Sequence, residues 1–130
     1  MQTFLPFPHF EQSLRCLDYR RLGKQRVEGS QIVTALRYHE KPESFEKPPG
    51  WVNHPVVLMW RGHSEALKSY VNQSILLWIE RGYKNTMPLY VVKNSHCLDY
   101  PPWFGDPRLH SSHRGRLMAK DEEWYSQFGW

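Results

Sequence analysis

Apolar positions along the chain repeat at helical spacing in three stretches, separated by runs too irregular or too rich in proline to continue them. The first stretch follows MQTFLPFPHF, where Pro6 and Pro8 among aromatic residues exclude a helix, and Ser13 offers an N-cap for a helix reaching about Tyr38. HEKPESFEKPPGWVNHP comes next, a loop by its four prolines and one glycine. Asn53 is placed to cap, and Pro55 to open, a second helix from about Val56 to Arg81 that stops at Gly82. Within it Val56, Trp60, Leu67, Val71 and Trp78 are spaced by four or seven, a stripe that should face the core. Between Gly82 and Pro107, MPLYVV is compatible with a short strand and DYPPWFGDP only with a loop. A third helix is predicted from about Pro107 to Lys120, and the chain closes on an aromatic tail, EEWYSQFGW. The pattern predicts an all-α, compact single domain over residues 1–130, of about three helices with long irregular loops and no internal repeats. Two loops this long in a small domain usually have a task.

The first helix carries charge where apolar residues would be expected. With Leu14 placed at zero on a helical wheel, Leu17, Ile32, Ala35 and Leu36 fall within about 60° and define the buried face. Asp18, Arg21, Gln25 and Glu28 fall within the same stripe, so they are predicted to point inward. An inward charge is costly unless paired, and Gln25 lies between Arg21 and Glu28, two turns apart, so direct or bridged hydrogen bonding is feasible. Two readings stand: a structural ion-pair network, or a face lining a cleft in which Glu28 is a carboxylate fit for acid/base work. Arg15, Arg26 and Arg37 occupy the outward face, with Arg20 and Lys24 on its flank, either as a solvated surface or as contacts to phosphate.

Composition narrows the class without naming a function. Hydrophobic residues make up 40% and charged residues 23%, as in a soluble globular chain, while the aromatic share of 15% exceeds what core filling requires. Seventeen Lys and Arg against thirteen acidic residues leave a formal charge of +4, which permits binding to phosphate backbones without demanding it. No apolar run is long enough to span a bilayer and the start has no signal-peptide character, so a cytoplasmic, non-membrane protein is expected. Cys16 and Cys97 match no disulfide or CxxC pattern and read as free thiols.

His63 shares the apolar stripe of the second helix, and His54 precedes that helix. His110 and His113 are three apart on the third helix, with Arg114 and Arg116 alongside. No third ligand sits at a recognisable metal spacing, so contacts to phosphate or base suit these residues better than a metal site. The four rings of EWYSQFGW either dock on the core or stack on bases.

Taken in order, HPVVLMWRGHSEALKSYV, LLWIERGYKNT, the late glutamate of the first helix and the closing WYSQFG resemble the pyrimidine-dimer DNA glycosylases of the phage endonuclease V type. The resemblance runs over nearly the whole chain. It implies a compact, mostly helical enzyme whose N-terminal amine attacks C1′ of a damaged nucleotide, forms a Schiff base, and cleaves the strand by β-elimination with help from a carboxylate. Segment by segment, that carboxylate corresponds to Glu28, the aromatic DNA-proximal tail to Trp124, Tyr125 and Phe128, and the Gly-His pair to Gly62 and His63. An α-amine titrates near 7.7 to 8.0, against about 10.4 for lysine, so it supplies a nucleophile at neutral pH without cofactor or metal.

Two departures from the family pattern matter. The phage enzyme uses a threonine exposed by removal of the initiator methionine, whereas Gln2 here should leave Met1 in place to supply the amine. The family's arginines flanking the glutamate are replaced by Val27 and Gln31, with Arg21, Lys24 and Arg26 as substitutes. The expected site is therefore Met1 and Glu28 as catalytic groups and Arg21, Gln25 and His63 as orienting groups. Lys24, Arg26, His54, His110, His113, Arg114, Arg116, Trp124, Tyr125 and Phe128 are the expected DNA contacts. The expected partner is damaged or modified double-stranded DNA, pyrimidine dimers included, bound by a monomer. A non-catalytic DNA-binding module on the same fold, or an enzyme acting on a small nucleoside, are the alternatives.

Overall fold

In the computed structural model, which describes residues 1–130, the first predicted helix is two: α1, Phe10–Arg15, and α2, Tyr19–Glu40. Nothing in CLDY is a local helix breaker; the break is made from a distance. Asp18 takes an extended backbone, its N–H donates to the Tyr125 hydroxyl at 3.2 Å, and that hydroxyl donates back to Asp18 Oδ1 at 2.5 Å. A further helical turn at Asp18 would need these groups elsewhere. The second predicted helix is also divided, into α3, Pro55–Trp60, and α4, Ser64–Glu80. Here the cause is local, since Gly62 adopts φ +84°, which a glycine accommodates without strain. The third helix, α5, spans Pro107–Lys120 as predicted, with Asp106 accepting the Arg108 N–H at 2.9 Å as its cap. α6, Glu122–Tyr125, and single 3-10 turns at Pro42–Ser44 and Ser126–Phe128 complete the regular structure. The chain is all-α, with six helices where about three were expected.

MPLYVV forms no strand. It is tied to the helices one residue at a time. Asn72 clamps Tyr90 through both backbone groups, at 2.8 Å each, and the Tyr90 hydroxyl meets Ser30 Oγ at 2.6 Å. The core lies chiefly where α2 crosses α4, around Leu22, Ile32, Leu36, Leu67, Val71 and Ile75. Gly29 permits the close approach, because a Cβ there would sit 2.5 Å from Val71 Cγ2. α5 and the tail close the other side, with the Trp130 ring stacked on Tyr125 at 5.6 Å.

Candidate active site

Residues 2–7, with Pro6 among them and Pro8 just after, form no helix and no backbone–backbone hydrogen bonds. A chain with apolar side chains at Phe4 and Leu5 must nevertheless bury its backbone, and buried amides need partners. Side chains from the surrounding helices provide most of them, and Ser13 on α1 holds both backbone groups of Phe7. Gln25, itself buried on α2, accepts the Phe4 N–H at 2.9 Å and donates to the Gln2 carbonyl at 3.1 Å. The Tyr70 hydroxyl, from α4, lies 2.8 Å from the Phe4 carbonyl and 2.7 Å from Gln25 Oε1. Trp60, from α3, donates its indole N–H to Thr3 Oγ1 at 3.0 Å. From α5, His113 Nδ1 accepts the Leu5 N–H at 2.8 Å, His110 Nδ1 donates to the Leu5 carbonyl at 2.6 Å, and Arg114 donates to the Pro6 carbonyl at 2.7 Å.

These bonds set the histidine tautomers. His110 accepts the Gly105 N–H at Nε2, so its proton is on Nδ1. His113 presents a bare Nδ1 to Leu5, and burial, with Arg116 and His110 nearby, pushes its pKa down to about 4. Burial likewise drives the Tyr70 hydroxyl well above its ordinary value, so it remains a donor. The Cys16 thiol, raised to about 12 by burial, is not a nucleophile.

The consequence is a fixed chain start. The Gln2 N–H donates to Glu28 Oε2 at 2.9 Å. The Met1 nitrogen lies three bonds before that amide, so it falls within about 7 Å of the carboxylate. Glu28 is half-buried and takes part in none of the ion pairs of the chain. Met1 and Gln2 line an open cleft of about 640 Å³ together with His54, Val56, Met59, Arg116, Ala119 and Lys120; Glu28 is not part of its lining.

The predicted residues thus separate into groups. Met1, Glu28 and Gln25 come together; His54 and Arg116 face the same cleft. Arg21 does not bridge to Glu28: its guanidinium pairs with Asp18 at 3.2 Å. His63 is removed from the site by the break after α3, and its Nδ1 lies 2.9 Å from the Asp99 carbonyl. Arg26 turns onto Trp78, 4.3 Å from the ring centroid, and donates to Asn85 at 2.7 Å, so it is no outward cation. Lys24 stays exposed. His110 and His113 are interior residues holding the N-terminal segment, which keeps their rings from a phosphate, and Arg114 is engaged with Pro6. Of the tail, Tyr125 is fully buried and bonded to Asp18, Trp124 donates to the Cys16 carbonyl at 2.8 Å, and Trp124 and Phe128 are exposed while Trp130 is half-buried. Sequence reasoning missed Tyr70, Thr3 and Lys120. The i, i+4 pairing of Arg116 with Lys120 was the available signal for the last.

The terminal amine lies near a carboxylate that forms no ion pair, and the chain start lines an open cleft with two cations, on an all-α frame. The family description "pyrimidine dimer DNA glycosylase" matches residues 1–91, and the chain belongs to that family. It is an enzyme of the DNA glycosylase kind, with DNA as its class of substrate. The matched region holds Met1, Gln25, Glu28 and His54 and ends before α5 and its cationic wall. Comparison with curated proteins and with solved structures gives no match. No helix is long and apolar enough to cross a membrane.

Proposed function

We propose that the protein is a DNA glycosylase with AP-lyase activity that works through a Schiff base from the Met1 amine. The observation that carries this reading is the Gln2–Glu28 hydrogen bond, which holds the chain start, itself lining an open cleft, next to a carboxylate. The amine nitrogen bonds to C1′ as the bond from C1′ to the base breaks, and the base leaves with a proton. O4′ then departs from C1′, taking a proton from solvent to become a hydroxyl, and leaves an iminium. Glu28 removes a proton from C2′, and the electron pair expels the 3′-phosphate. The separation of amine and carboxylate leaves room for the two reacting carbons between them. Arg116 and Lys120 hold the flanking phosphates, and Gln25 keeps Met1 in register.

Borohydride trapping on duplex DNA with an abasic site tests the mechanism. Native protein should form a covalent adduct, and Glu28→Gln, whose amide oxygen still accepts the Gln2 N–H, should reduce strand cleavage at the abasic site about 100-fold or more. Absence of an adduct with native protein, or undiminished strand cleavage by Glu28→Gln, rejects it.

A further inference from the structure

Four of the six tryptophans are committed to the protein through their indole N–H: Trp60 to Thr3, Trp78 to Lys84, Trp103 to Met59 and Trp124 to Cys16. Trp130 is stacked on Tyr125. Trp51 alone neither donates its indole N–H nor packs against the core. It is 54% exposed, its indole nitrogen has no protein partner, and its backbone has φ +70°, a region that bulky side chains rarely occupy.

The strain is held in place by its surroundings. The Trp51 carbonyl accepts the His54 N–H at 2.9 Å. His39, on α2, lies 2.6 Å from the Val52 carbonyl, and His54 Nδ1 caps α3 by accepting the Val56 N–H at 3.1 Å. A positive φ in a bulky residue, imposed by a pinned turn rather than by a floppy loop, points to a side chain displayed for use. Its location says for what. The Trp51 ring packs edge-on against His54, 5.6 Å between centroids, and His54 lines the cleft that contains Met1. The same cleft is lined by Arg116 and Lys120, whose charge suits a phosphate backbone.

We propose that Trp51 is the residue that opens the duplex: its indole inserts into the base stack beside the target nucleotide and fills the space the nucleotide vacates. A nucleotide within a duplex has its C1′ shielded by stacking and pairing, and an apolar ring inserted at the step offsets the lost stacking. The target sugar is then free to enter the cleft and reach the Met1 amine. Trp51 acts on the DNA, not on the reacting atoms, so it is a positioning residue. The proposal rests on the reading of the cleft as the DNA site, but not on its chemistry.

The test compares native protein, Trp51→Ala and Trp51→Phe on a duplex carrying a tetrahydrofuran abasic analogue flanked by 2-aminopurine, and on the corresponding single strand. Neither substrate requires a Schiff base. The native protein should bind the duplex and change the 2-aminopurine emission. Trp51→Ala should lose about tenfold in duplex affinity together with most of the emission change, keep its single-strand affinity within about twofold, and be largely rescued in Trp51→Phe. Borohydride trapping on true abasic DNA is run in parallel. If native protein fails to trap yet the Trp51-dependent emission change is present, the catalytic reading fails and the duplex-opening role stands. Equal duplex affinity and emission change for native and Trp51→Ala proteins overturn the proposal, as do equal losses on duplex and single strand or no duplex binding by native protein.

Discussion

Replacing His113 by asparagine isolates one buried proton acceptor on which the N-terminal segment depends. His113 Nδ1 accepts the Leu5 N–H at 2.8 Å, and the ring is 5% exposed. Burial lowers its pKa from 6.5 to about 4. In the unfolded chain the ring therefore binds a proton at a pH where the folded protein does not, so acid favours unfolding. The stabilisation from the neutral ring is complete above pH 6.5 and is lost as pH falls towards about 4. A gap of that width corresponds to about 3 kcal/mol, most of it gone by about pH 4.5. Asparagine can present its side-chain oxygen to the same amide without titrating, at the cost of the edge contact between Phe4 and His113. Urea unfolding followed by far-ultraviolet circular dichroism at pH 7.5 and pH 4.5 gives both stabilities. Groups common to the two proteins cancel in the difference, so His113→Asn should lose about 2 to 3 kcal/mol less than native protein between the two values. An identical loss in both would refute the assignment of His113 as a neutral acceptor inside the fold.

Gln25→Leu removes the partners of the Gln2 carbonyl and the Phe4 N–H at once, and should cost about 2 to 4 kcal/mol by thermal or urea unfolding. Trapping should fall further than stability explains, at a temperature where the variant is still folded, because Met1 loses its register. Arg116→Ala and Lys120→Ala should each weaken DNA binding at all sequences and reduce the slope of log affinity against log salt by about 1, measured by anisotropy titration; an unchanged slope in both would place the phosphates elsewhere.

The features that a local pattern controls were legible before the structure. Helical periodicity and the prolines marked an all-α chain, the limits of α5, and the non-helical start; the wheel placed Gln25 and Glu28 on the side of α2 that meets the interior. The division at Gly62 was also written locally, in a glycine that the apolar stripe outweighed. What only tertiary structure decided involves partners more than a hundred residues apart. Tyr125 draws Asp18 out of the helix, and Asp18, so placed, takes Arg21 away from Glu28. His110 and His113 look like surface ligands on a helical wheel, yet they are buried because the backbone of Leu5 lies across them. Periodicity reports which face of an element is covered, since burial of side chains along one helix is a local average. It carries no information on which polar group meets which, because a hydrogen bond depends on two positions whose separation along the chain is set by the packing of the whole.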